Sequence, residues 1–252
     1  MKSLRFLAAL LAASAALPAA AAECSARSGT APAALVELYT SEGCNSCPPA
    51  DRWFSQLTVA GGSVVPLAFH VDYWDHLGWK DRFASRAWSA RQREAVRRSG
   101  ARYVYTPQVM RNGRDFPRWS RSGSLAEAAS GDGPAGASIA LSLQSSPASI
   151  TVTAESGALA PGAVGARLLV AVTESGLATQ VKAGENRGER LAHDHVVRAL
   201  ADLGPVGETV QPARSVFALG RDWKRESLAV AAFVQDARTG AVLQALRLSC
   251  PP

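Results

Sequence analysis

The sequence predicts an α/β layer domain followed by an all-β, sandwich-like domain. Two observations predict it. Before residue 130, apolar runs of strand length alternate with amphipathic helical patterns, which argues for helices packed on a sheet. After it the chain breaks into short Val-, Ala- and Leu-rich runs separated by Gly, Pro and charged turns, which argues for strands alone.

The chain opens with Lys2 and Arg5, a Leu/Ala run and then Ala20-Ala21-Ala22, the pattern of a cleavable signal peptide over residues 1–22. Glu23 precedes Cys24, where lipidation needs a small residue. We therefore expect a periplasmic or secreted chain that begins at Glu23 with no stable membrane anchor after cleavage. Removing Lys2 and Arg5 lowers the formal net charge from +6 to +4, too weak a basic balance to argue for nucleic acid.

Residues 23–131 form the first domain. Leu35–Thr40 reads as a strand and Asp51–Val59 as a helix, with Trp53, Phe54 and Leu57 in one stripe. Val64–Val71 is a second strand. Lys80–Arg98 is a second helix burying Phe83, Trp88 and Val96. Val109–Arg111 and the Phe116 stretch form a hairpin around Asn112-Gly113, and Ser124–Ala129 is a short closing helix. The run Arg82, Arg86, Arg91, Arg93, Arg97, Arg98 and Arg102 reads as the solvated face of the second helix, or as a docking surface for an acidic partner.

Composition shifts near Ser120: Trp53, Trp74, Trp79, Trp88 and Trp119 precede it and only Trp223 follows. Gly131-Asp132-Gly133-Pro134-Ala135-Gly136 has linker composition, and we place the linker at 132–136. Residues 137–252 then form the second domain, with strands at Ser138–Leu143, Ser149–Ala154, Ala166–Thr173, Thr179–Lys182, Ser215–Leu219, Ser227–Val234 and Ala241–Leu248.

The chemistry concentrates in Cys44-Asn45-Ser46-Cys47, set between the first strand and a helix that Pro48 and Pro49 open. Two intervening residues let the sulfurs close a small ring and still exchange. A helix N-terminus favours the thiolate, and the thiolate is the nucleophile. We expect Cys44, the first and more exposed sulfur, to attack and Cys47 to resolve. The competing readings are an inert disulfide and half a zinc site, although a zinc site needs a second close pair and Cys24 and Cys250 stand at the ends of the chain. If Cys44 pairs with Cys47, export leaves Cys24 and Cys250 to form a structural disulfide.

In open α/β sheets ligands gather beyond the carboxyl ends of parallel strands. His70 and Asp72 follow the second strand, so they stand near Cys44 as proton-transfer or substrate-contact candidates, or else as polar caps of a strand end. Trp74 and Trp79 read as core or rim aromatics. His193 and His195 lie two apart and share a face if they lie on a strand, either as surface histidines or as a copper- or zinc-ligating pair.

Tyr105-Thr106-Pro107-Gln108-Val109 resembles the cis-proline element of thioredoxin-like proteins. The resemblance implies that Pro107 is cis and lies against the cysteines, with Thr106 before it. It also implies that Glu37 is the buried acid that helps deprotonate the resolving cysteine. With VELYTSEGCNSCPPAD, HVDYWDHLGWKD and GENRGERLAHDHVVR, the chain resembles a family of exported bacterial thioredoxin-like proteins of unknown function across nearly all of residues 23–252. The fold implied for residues 23–131 is thioredoxin-like. The function expected is thiol–disulfide exchange without a cofactor, with protein thiols or disulfides as substrates and a redox partner protein. The alternatives are a periplasmic copper-binding or delivery protein and a non-catalytic binding module.

Overall fold

The computed structural model describes residues 23–57, 62–130, 133–160, 163 and 165–250. The leader expected at residues 1–22 and the end of the helix expected to run to Val59 lie outside the described residues. In chain order the elements are β1 (Glu23–Arg27), β2 (Ala34–Thr40), α1 (Pro48–Ser55), β3 (Val64–His70), α2 (Arg86–Ser99), β4 (Gln108–Arg111), β5 (Arg114–Asp115) and α3 (Ser124–Ala128). Then come β6 (Ala137–Ser145), β7 (Ser149–Ala158), β8 (Arg167–Glu174), β9 (Leu177–Gln180), β10 (Arg190–His193), β11 (Val196–Pro205), β12 (Gln211–Ala218), β13 (Leu228–Gln235) and β14 (Val242–Leu248).

The strands form an eight-stranded sheet in the order β14-β13-β8-β11-β3-β2-β4-β5, a four-stranded sheet β1-β6-β7-β12, and the pair β10-β9. The result is a mixed α/β, strand-rich fold. Every residue of β2 and β3 is buried, because these parallel strands are covered on both faces. Alternation divides β2: Leu35 and Tyr39 join Phe69 and Phe233 in the core under Trp88 of α2, while Val36 and Leu38 pack against Trp53 and Phe54 of α1. The four-stranded sheet lies on the same side as α1, farther along. There Ile139, Leu141 and Val152 meet Val170, Val172 and Val230 in a third core.

The boundary expected at residues 132–136 is not a boundary of hydrogen bonding. β11 joins the sheet where Val196 pairs parallel with Ala68 of β3, and the Ala68 N–H donates to the His195 carbonyl at 2.9 Å. A parallel edge left unpaired beside a buried β3 would leave backbone groups unsatisfied, so a strand from the later half completes it. β10 and β11 were not among the expected strands, since Arg198, Asp202 and Gly204 dilute the apolar pattern of β11. The second helix begins at Arg86 rather than Lys80. Ser85 caps it by accepting the Ala87 N–H at 3.2 Å, and residues 80–85 form turns instead.

Cys24 and Cys250 form a disulfide with their Cα atoms 6.1 Å apart. It ties β1, an edge of the four-stranded sheet, to the chain just beyond β14, an edge of the eight-stranded one.

Candidate functional site

β2 ends at Thr40, and the chain turns through Ser41-Glu42-Gly43 to Cys44 and Cys47, the residue that caps α1. Gly43 is required by close approach: a Cβ there would stand 3.0 Å from the Trp74 Cβ. The two cysteines are free thiols, and both are fully buried. The expectation that Cys44 is the more exposed sulfur is therefore corrected. Its sulfur lies 3.2 Å from the Ser46 hydroxyl, and Thr106, from the segment before β4, also favours its thiolate.

The thiols differ sharply in acidity. A hydrogen bond from Cys47 is the main influence that draws the Cys44 pKa down to about 6; burial opposes it, and Ser46 and Thr106 add to it. Burial pushes Cys47 the other way, far above the ordinary thiol range, and its neighbours Cys44 and Asp51 raise it further. Of the two, Cys44 is the sulfur that ionises first.

The Thr106–Pro107 bond is cis. Thr106 is fixed by the Trp74 indole N–H, which donates to its hydroxyl at 2.7 Å. Trp74 thus orients the segment beside Cys44 rather than merely filling the rim.

Beneath the cysteines, on the α1 face of the sheet, lies a cluster of five buried ionisable groups: Glu42, Asp51, His70, Asp81 and His193. His70 Nδ1 is 2.6 Å from Asp81 Oδ2, and the His70 and His193 rings meet edge to face at 4.8 Å. His193 Nε2 is 3.4 Å from Glu42 Oε1, and its Nδ1 is 4.0 Å from Asp51 Oδ2. Glu42 accepts the Trp79 indole N–H at 2.8 Å, and its backbone N–H donates to Asp81 at 2.9 Å. Burial disfavours charge on His70, but Asp81, aided by Asp51 and Glu42, prevails and holds its pKa above the ordinary imidazole range. Asp81 is correspondingly lowered: burial raises it, and His70 more than offsets that. Burial raises Asp51 against the opposing pull of His193 and His70. Thr40, fully buried at the end of β2, lies between the two ends of this arrangement and favours the charged form of both Cys47 and Asp51.

A loop from the far half of the chain closes the site. The Asn186 side-chain amide donates to the carbonyls of Glu42 and Cys44, each at 2.9 Å, and Glu185 accepts the Asn45 N–H at 3.0 Å.

The structure brings together Cys44, Cys47, Thr106 and His70, corrects the expectations for Glu37 and for His193 and His195, and decides between the two readings of Asp72. Glu37 does not serve the cysteines. Its carboxylate faces α2, where Arg91 holds it at 2.8 Å and Tyr39 donates to it at 3.1 Å. Residues an odd number of positions apart on a strand face opposite sides, and Glu37 is three before Thr40. For the same reason Arg91 is turned inward rather than lying on a solvated face. Asp72 is bonded to the Ser89 hydroxyl and braces the loop against α2, which is the polar-cap reading. His193 and His195 do not share a face, because β10 ends at His193 and His195 adopts a left-handed φ of 56°. The His195 ring packs against Phe54, and burial lowers its pKa to about 4, assisted by Arg247. Among the described residues no group of three His, Cys, Asp or Glu is arranged to hold a metal ion.

Sequence reasoning missed Asp51, Glu42, Asp81 and Asn186. One signal for Asp51 was present: it stands four residues after Cys47, one helical turn below it.

Fold and site together define a strand-rich α/β protein with a buried, asymmetrically acidic dithiol over an acid–imidazole cluster. The chain belongs to the family described as "Protein of unknown function (DUF1223)", whose model matches residues 35–235. It is similar to a crystallised structural-genomics target from Agrobacterium tumefaciens, at 26% identity and a TM-score of 0.65, over 88% of this chain and 96% of that one. HBP35 of Porphyromonas gingivalis shares the fold at 16% identity and a TM-score of 0.64, over 88% of this chain and 76% of that one. A domain of the outer membrane lipoprotein Omp28 from the same organism matches 47% of this chain and 90% of that one, at 16% identity and a TM-score of 0.33. No curated protein matches the sequence. Among the described residues no helix is long and apolar enough to cross a membrane.

Proposed function

We propose that this protein is an exported, periplasmic thiol–disulfide oxidoreductase whose first half is thioredoxin-like. The element order β2-α1-β3-α2-β4-β5-α3 supports the fold reading, and the cis bond before Pro107 supports it further. The observation that carries the function is the placement of the pair: two free thiols separated by two residues, Cys47 capping α1 and the Ser46 hydroxyl 3.2 Å from the Cys44 sulfur, an arrangement that favours charge on Cys44 and disfavours it on Cys47.

The Cys44 thiolate attacks one sulfur of a client disulfide. That S–S bond breaks, a mixed disulfide forms and the other client sulfur leaves as a thiolate. Cys47 then loses its proton and attacks the Cys44 sulfur. The client leaves as a dithiol, and Cys44–Cys47 is left oxidised for a redox partner protein to reduce. The reverse sequence oxidises a client dithiol. Asp51 takes the role first expected of Glu37. Burial raises its pKa, its charge in turn raises that of Cys47, and it stands one helical turn after Cys47, placed to exchange a proton with it. Because both sulfurs are buried, a client reaches them only when the Asn45–Ser46 turn lifts away from its contacts with Glu185 and Asn186.

Trapping tests this. Cys47→Ser, incubated with a disulfide-bonded protein client, should accumulate a mixed disulfide through Cys44, and Cys44→Ser should not. Trapping by Cys44→Ser alone would reverse the roles. Trapping by neither would leave a non-catalytic binding module.

A further inference from the structure

The seven-arginine run is only partly explained by solvation, because one of its members takes part in a second site. α2 spans 14 residues, roughly 20 Å at 1.5 Å per residue. Its N-terminal end meets the dithiol end of the sheet, where the Ser85 N–H donates to the His70 carbonyl. At its other end three elements converge. The β4–β5 turn packs on the β13–β14 turn so closely that a Cβ on Gly113 would clash with the Gly240 carbonyl, and Gly240 in turn lies against the Arg98 Cβ. Between them is a cavity of about 250 Å³ lined by Arg98, Ser99, Arg114, Arg238, Thr239 and Ala241.

No carboxylate lines this cavity. Two nearby acids offset part of the charge of these arginines, Glu94 pairing with Arg98 and Asp236 standing near Arg238, but neither lines the cavity. Glu94 bonds Arg98 through Nε at 2.7 Å, leaving the two terminal guanidinium nitrogens of Arg98 for the cavity. Asp115 takes the Tyr105 hydroxyl and the Gln108 amide. Asp236 is turned into its own turn, where it accepts the Arg238 N–H and the Thr239 hydroxyl, each at 2.9 Å. The guanidinium groups of Arg114 and Arg238 have no hydrogen-bonding partner among the described residues. Gathering cations that repel one another is unfavourable unless an anion joins them.

The geometry points to an oxyanion-binding site here, for a phosphate or phosphomonoester group. A planar carboxylate is satisfied by one bidentate guanidinium. Donors from three separate elements suit a tetrahedral group with three or more acceptor oxygens, and arginine is the residue whose fork fits it. The site is independent of the dithiol, at the far end of α2 and on the opposite face of the sheet.

The test is calorimetric titration of inorganic phosphate into the full chain at low ionic strength, against chloride at matched ionic strength. Vesicles of phosphatidylcholine with and without phosphatidic acid form a second arm. One phosphate should bind per chain. The double variant Arg114→Gln/Arg238→Gln should weaken binding at least tenfold while melting in chloride buffer at the wild-type temperature, since both side chains are exposed. Vesicle binding that needs phosphatidic acid and is lost in the double variant would identify a lipid headgroup as the source of the same chemistry. Phosphate binding no tighter than chloride with no vesicle binding, or binding unchanged in the double variant, would overturn the proposal.

Discussion

Thiolate titration of the reduced chain separates the two sulfurs. With the Cys44 pKa near 6 instead of 9.0, about nine-tenths of Cys44 is ionised at pH 7, against about one-hundredth for an ordinary thiol. Absorbance at 240 nm follows thiolate formation whether or not the sulfur is exposed. One thiolate should appear with a midpoint near 6 and no second one below pH 9. Cys44→Ser should abolish the low step. Cys47→Ser should move it upward, because the Cys47 hydrogen bond is the largest influence lowering it. The same shift predicts a pH-dependent stability. A lowered folded pKa stabilises the native state above the unfolded pKa, and that stability is lost as pH falls through the folded value. Reduced protein should therefore gain stability between about pH 6 and 9, by at most about 4 kcal/mol for three units. Above pH 9 the trend should turn over, because Cys47 ionises in the unfolded chain and stays protonated in the native one. Thermal melts in a thiol-free phosphine reductant measure this. A single step near pH 9 for both sulfurs, or a Cys47→Ser midpoint unchanged from wild type, would refute the reasoning.

Two further outcomes test the placement of polar groups. Glu37→Gln should strand the Arg91 guanidinium beneath the sheet and cost about 3 kcal/mol in chemical denaturation, yet leave the Cys44 titration midpoint in place, because Glu37 faces α2. Asn186→Ala removes two donors from buried carbonyls and should lower stability by about 2 kcal/mol. It should also raise the rate at which Cys44 is alkylated, as the loop over the site loosens; an unchanged rate would show that this loop does not control access.

The sequence by itself determined the local features. Short apolar runs between turn residues placed β2, β3, β6, β7, β8 and β13 within a few residues. The Asn112-Gly113 turn placed the β4–β5 hairpin, and the spacing of Cys44 and Cys47 at a helix start placed the dithiol. These features are legible because each is set by neighbours in the chain: a period of two for a strand, a φ above zero for a turn, a cap for a helix. What the tertiary structure decided was partnership across distance. Glu37 was assigned to the cysteines by its resemblance to the buried acid of thioredoxin-like proteins, and strand parity turned it to the other face. Asp51 and Asp81 each stand more than a hundred residues before His193, yet the three share one buried cluster. Asn186 reaches the Cys44 carbonyl from a loop that composition alone marks only as polar. The pairing of β11 with β3 across the expected boundary has the same origin. A linker composition at 132–136 describes the chain locally, whereas the open edge of β3 was completed by β11, a strand whose own pattern scarcely announces it. A buried charge or backbone group takes whichever partner the fold brings to it, and that choice is made by packing rather than by position along the chain.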